Sequence, residues 1–103
     1  MRIITERKLR DFWEDARGAE RVRREKAMRE WKAVVRFADW NSFADVRNTF
    51  NHSDVFRNCT IFDIGGNQYR IIAKLAYRTK LVFIRAVLTH SEYDEKKWQS
   101  DCK

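Results

Sequence analysis

Between Ile64 and Ser91 the chain carries five basic side chains, Arg70, Lys74, Arg78, Lys80 and Arg85, together with His90, and no acid. An unopposed group of cations suits a polyanion, and guanidinium groups such as those of Arg70 and Arg85 grip phosphate oxygens through paired N–H bonds. His90 and, three residues on, Tyr93 are side chains that can exchange protons. The combination suits acid/base chemistry at a phosphate. A histidine in a capping turn is as often structural, so His90 by itself does not decide the matter.

The elements that must hold these residues can be read from the strand pattern. Runs suited to strands are broken at Gly65-Gly66-Asn67 and at Arg78-Thr79-Lys80, which predicts a three-stranded antiparallel meander joined by tight turns. Side chains alternate along a strand, so the turns decide which residues share a face. With Arg78-Thr79 as the second turn, Arg85 lies across from Ile72, on the face of Arg70 and Lys74. Cys59, Ile61 and Asp63 join that face. The other face is Thr60, Phe62, Ile64, Ile71, Ala73, Leu75, Tyr77, Val82, Ile84, Ala86 and Leu88, almost wholly apolar. Cations grouped on an open sheet face repel by ~1 kcal/mol per close pair in water. A phosphate would relieve that repulsion; so would acids from a loop or tail, with Asp63 the nearest structural partner for Arg70. Asn67 either contacts a base or satisfies its own turn.

The remaining segments read as cover for this sheet. Arg2–Ile4 is a short strand, and Thr5 is placed to cap a helix running from Glu6 to Arg17, whose Leu9, Phe12, Trp13 and Ala16 form one stripe before Gly18 stops it. A second helix is expected over 19–37, with an apolar face of Val22, Ala27, Trp31, Val34, Val35 and Ala38. Its many cations are interrupted by Glu20, Glu25 and Glu30, the pattern of a solvated surface. Ser42 and Asp45 read as a capping box for a short helix to Phe50, and 51–58, with His52, reads as a loop. Thr89 and Glu92 form a second capping box, opening a helix to Trp98 that carries His90 at its start and Tyr93 one turn further.

Composition narrows the class. At 103 residues, 44% hydrophobic and 14% aromatic, without a Pro, Gly or Ser tract, the chain is expected to be one globular domain over 1–103. The net charge is +7 and the pI about 9.8, and the excess is concentrated in residues 64–91. Cys59 and Cys102 lack metal-site spacing, and reduced thiols in the cytoplasm are expected. No signal peptide and no membrane-spanning run is expected.

The run FDIGGNQYRIIA, followed by IRAVLTHSEYD and Trp98, resembles the HigB toxin family of bacterial toxin-antitoxin systems, within the RelE-like group of mRNA interferases. Trp31, Trp40, Phe43, Asp45 and Phe50 resemble a further motif of that family. Asp63 departs from it, standing where members commonly have Asn. The resemblance implies a compact α+β RelE-like domain, with N-terminal helices packed on one face of a small, mainly antiparallel sheet and a short C-terminal helix. It implies an endoribonuclease that needs no metal or cofactor and cuts mRNA, often on the ribosome, by attack of the 2′-hydroxyl on the adjacent phosphate. A HigA-type helix-turn-helix antitoxin would neutralise it, and DNA would be met only through the antitoxin complex. Under this resemblance Arg70 and Arg85 clamp the phosphate, His90 and Tyr93 take part in proton transfer, and Asn67, Lys74, Arg78 and Lys80 contact RNA. Two other classes fit a basic domain: a non-enzymatic gyrase inhibitor of the ParE-like branch, and a plain RNA-binding module.

Overall fold

In the computed structural model, which describes all 103 residues, the apolar stripe of α1 (Arg7–Glu14) turns Leu9 and Phe12 onto a five-stranded sheet. The chain runs β1 (Arg2–Ile4), α1, α2 (Gly18–Phe37), α3 (Phe43–Thr49), β2 (Asp54–Phe56), β3 (Cys59–Ile64), β4 (Tyr69–Ala76), β5 (Leu81–Thr89) and α4 (His90–Asp94), then a 3-10 turn at Lys97–Asp101. The strand order is β1-β5-β4-β3-β2. β1 lies parallel to β5 and all other pairs are antiparallel. The α+β class and the β3–β5 meander are as expected. The sheet is wider than the meander because β1 joins one edge and β2 the other.

Several local expectations are corrected. Thr5 does not cap α1: its φ of +69° places it in the left-handed region, and Glu6 takes the N-cap position without a side-chain bond. Gly18, at φ +58°, opens α2 rather than merely ending α1, since only a residue free of a Cβ enters that conformation cheaply. Ser42 makes no capping bond; Asp45 instead accepts from the Asn41 backbone N–H at 2.8 Å. Part of the expected 51–58 loop is β2, a three-residue edge strand that pairs only with β3 and whose shortness left little strand pattern to read. Thr89 and Glu92 do form a capping box, but α4 ends at Asp94 and the chain turns through left-handed Lys96 into the 3-10 segment.

The main core lies between the helices and the sheet. Trp31 meets Phe62 edge-on at 5.3 Å, Phe50 does so at 5.5 Å, and Trp40 stacks on it at 5.9 Å, so Phe62 sits within a cage of rings. Ala27, Met28, Trp31 and Val35 are the buried face of α2, whereas Val22 and Val34, expected inside, are exposed. Outward, Glu20 of α2 accepts from Arg24 at 2.8 Å, Arg23 at 3.0 Å and the Tyr69 hydroxyl at 3.0 Å. The Arg24 bond above all holds its carboxyl below the usual range, against a smaller opposing effect of burial. A carboxylate with a depressed pKa contributes stability that is complete above its unfolded value, 4.5, and is lost as pH falls through the folded one. Glu20→Gln is therefore expected to flatten the decline of thermal stability below pH 4.5, measured as melting temperature against pH.

The second face of the sheet is the larger correction. The β4–β5 register shifts by one residue between Ile72 and Ala73, which leaves Arg85 as a bulge on β5. The extra residue inverts the parity beyond it: Ala86 and Leu88, expected against the helices, turn to the face of Arg70, and Val87 faces the main core. There they join Cys59, Ile61, Ile72, Phe56, Tyr93 and Trp98 in a small second core beneath the C-terminal segment. Cys59 and Cys102, expected as free thiols, form a disulfide across it. The face is thus capped in its middle, and cations remain at its two ends.

Candidate phosphate-binding site

At one end, Arg70 on β4 lies opposite Asp63 on β3, just before the turn Gly65–Gln68. Gly65 has φ +64°, and a Cβ there would stand 2.7 Å from the Tyr69 ring, so the turn takes this path only with glycine. Asn67, at φ +73°, occupies the left-handed conformation that asparagine tolerates best after glycine. That geometry brings both of its oxygens to one guanidinium: Arg70 Nη1 donates to the Asn67 carbonyl at 3.1 Å and Nη2 to its Oδ1 at 2.7 Å. Nη1 also donates to the Tyr69 carbonyl at 3.2 Å. Asp63 Oδ1 lies 3.2 Å from Nη1 yet makes no directed hydrogen bond, so its contribution is coulombic. Asp63 therefore holds Arg70 in place without using up its donors. Of the five guanidinium N–H groups, Nε–H and one on Nη2 have no protein partner, the number that a bidentate phosphate contact uses.

Tyr93 closes this end. Its ring lies 4.9 Å from the Arg70 guanidinium carbon and stacks on Trp98 at 5.1 Å with an interplanar angle of 9°. Burial raises the phenol's pKa above its usual 10, outweighing the neighbouring Arg70, so at neutral pH it is a proton donor. His90 stands at the end of β5, its backbone N–H donating to the Gln68 carbonyl at 3.0 Å, which fixes it beside the Asn67 turn. Its side chain is half exposed, with Nδ1 2.9 Å from Asp94 Oδ2. The immediate neighbour is thus an acid one helical turn on, not the sheet cations. No directed hydrogen bond joins the two, so the Asp94 carboxylate acts on the imidazole through its charge, and the Nε2 edge of the ring points away from that contact.

The other expected residues fall elsewhere. Arg85 is held by both oxygens of Asp101, at 2.6 and 2.9 Å, and Lys74 lies 3.9 Å from the same carboxylate. By strand rise Lys74, four residues along β4, sits roughly 13 Å from Arg70. Arg78 is exposed in the β4–β5 turn. Lys80 belongs to the opposite end of the sheet, donating to the Trp40 carbonyl at 2.9 Å and Asn41 Oδ1 at 2.7 Å beside Asp39. Sequence reasoning missed Asp101. Its position next to Cys102, with Cys59 already assigned to the cationic face, was the signal that could have found it. A cleft of about 700 Å³ runs beside the site between α2 and the turn, with Asp63, Asn67, Trp31 and His52 on its walls.

The profile of the HigB toxin family, the RelE-like toxic component of a toxin-antitoxin system, matches residues 24–96. That span takes in α2 from Arg24 onward, the whole meander, and the Arg70, His90 and Tyr93 positions.

This chain belongs to the HigB toxin family.

Among curated HigB proteins it is similar to the mRNA interferase HigB of Escherichia coli O6:H1 (strain CFT073), 29% identical over 65 residues, which is 60% of this chain and 63% of that protein. It is also similar to the mRNA interferase toxin HigB of Escherichia coli strain K12, 41% identical over 34 residues, 33% of each chain. The HigB of Shigella flexneri matches to the same extent. The chain thus spans just under two thirds of the first of these HigB relatives and one third of the others.

Proposed function

We propose that this HigB-family chain is an endoribonuclease that cleaves mRNA without a metal, by attack of the 2′-hydroxyl on the adjacent phosphate. The observation that carries the reading is Arg70, fixed by Asn67, Tyr69 and Asp63 with two N–H donors left over, beneath the Tyr93 ring, with the His90 backbone tied to the same turn at Gln68. Nε2 of His90 takes the 2′-hydroxyl proton as that oxygen bonds to phosphorus. Arg70 stabilises the charge that builds on the non-bridging oxygens. The bond to the 5′-oxygen breaks, and that oxygen gains a proton from Tyr93 or water. The products are a 2′,3′-cyclic phosphate and a 5′-hydroxyl. Lys74, Arg85 and Arg78 hold flanking phosphates, and Asn67 meets a base or serves only its turn. Lys80, already engaged with Asp39, is left out of the site. The relatives' interferase names, the basic surface and the family's toxin-antitoxin description support a cytoplasmic toxin acting on mRNA at the ribosome and neutralised by a HigA-type antitoxin.

The test is to map RNA 5′-hydroxyl ends after brief induction. New ends should accumulate within coding sequence. His90→Ala should lower their rate of appearance by about a hundredfold, the usual contribution of a positioned acid or base. Intact transcripts accompanied by DNA damage would instead indicate a gyrase inhibitor, and tight, salt-sensitive RNA binding without cuts a plain binding module.

A further inference from the structure

Two of the cations expected to meet RNA, Arg85 and Lys74, are both answered by one carboxylate, Asp101. The next residue, Cys102, is covalently joined to Cys59 on β3. We propose that the Cys59–Cys102 disulfide is a thiol–disulfide exchange site whose state decides whether Arg85 and Lys74 are free to bind a polyanion. The proposal rests on the RNA-directed reading above for the identity of that polyanion.

The physical case begins with how weak the Arg85–Asp101 pair is without its tether. Both side chains are well exposed, 46% and 39%, and an exposed ion pair in water holds two flexible side chains together only marginally. Covalent attachment one residue away changes that, because it keeps the carboxylate at high effective concentration beside the guanidinium. While the disulfide is closed, Asp101 outcompetes a passing phosphate. With it open, the 3-10 segment is held at Trp98, which stacks on Tyr93, meets Phe56 edge-on at 5.4 Å and donates from Nε1 to the Tyr93 carbonyl at 2.9 Å, and at Lys103, which contacts Asn58; none of these contacts fixes the Asp101 side chain. Asp101 must then find Arg85 unaided, against a strand of RNA carrying a phosphate at every nucleotide.

The step is a two-electron exchange with a dithiol. A thiolate of the reductant attacks one sulfur to give a mixed disulfide, its second thiol displaces that sulfur, and Cys59 and Cys102 leave as thiols while the reductant is oxidised to its own disulfide. Both sulfurs are buried, so exchange follows opening of the 3-10 segment, whose Lys97 and Ser100 face solvent. A reducing compartment would hold the protein in its open, RNA-competent state and oxidation would return it to the covered one.

The experiment compares oxidised and dithiothreitol-reduced protein for binding of a single-stranded 2′-O-methyl RNA, which cannot be cut, over a range of salt concentrations. Reduction should tighten binding about tenfold and steepen the log–log salt dependence by about 1.4, the release expected for two further phosphate contacts on a single strand. Asp101→Asn with the disulfide intact should bind like reduced wild type and lose its response to dithiothreitol. Equal affinity and slope in the two redox states, or an Asp101→Asn protein that matches oxidised wild type, overturns the proposal. An RNA-free readout separates the two readings: acylation of Lys74, followed by mass spectrometry, should rise several-fold on reduction. A rise with no RNA bound in either state upholds the gate and removes the RNA reading. No rise removes the gate whatever RNA does.

Discussion

Arg70→Ala is expected to abolish measurable RNA cleavage, a loss of a hundredfold or more, because no other cation lies near enough to stabilise the phosphate as charge builds on it. The same change should also lower stability by about 3 kcal/mol. Arg70 is only 7% exposed, and deleting it leaves the partly buried Asp63 carboxylate without its counter-charge and two Asn67 oxygens and the Tyr69 carbonyl without this donor. Loss of growth arrest in this variant would then confuse lost chemistry with lost fold. The double substitution Arg70→Ala with Asp63→Asn removes the stranded charge, so it should recover part of the stability in a urea titration and none of the cleavage. Recovery of cleavage in the double variant would show that Arg70 acts through the fold and not on the phosphate.

Phe62→Ala should be among the most damaging single changes to the fold, at about 4 kcal/mol, since it removes the ring that Trp31, Trp40 and Phe50 all pack against. For a domain of this size that is a large part of the total. Urea denaturation followed by tryptophan fluorescence gives the value directly, because Trp31 and Trp40 both touch the site of the deletion. Phe62→Leu, which refills most of the space, should lose less than half as much. The β3 residue that follows Phe62 is Asp63, so looseness here would also reach the Arg70 site.

Alternation made most of the sheet legible. Arg70, Lys74 and Asp63 share a face as the spacing predicts, because β3 and β4 pair without interruption from the Gly66-Asn67 turn outward. The Thr89–Glu92 capping box was legible for the same reason: its two bonds join residues three apart and need nothing from the rest of the chain. The failures come from longer range. Parity read outward from Arg78-Thr79 holds as far as Ile84 and then inverts at Arg85, since a bulge costs one residue and leaves no mark in a run of strand formers. The face that looked open is covered because the 3-10 segment brings Asp101 and Trp98 back over it. Nothing in KKWQSDCK states where that segment will lie. Cys59 was placed on the right face, yet its bond to Cys102 depended on the same fold-back.

The parallel pairing of β1 with β5 sets the timetable of folding. Ile3 opposes Val82, so β1 has no partner until β5, about 80 residues on, has been made. Pairing at such separation is slow, because the closure entropy of the intervening chain is lost before the contact returns anything. α1 rests on β5 as well, and its apolar stripe must wait in water for the same strand. During synthesis the meander carrying Arg70 therefore emerges after the helices that cover it. A nascent chain that lacks β5 has neither a finished sheet nor a finished site, so no partial product of synthesis carries the Arg70 constellation.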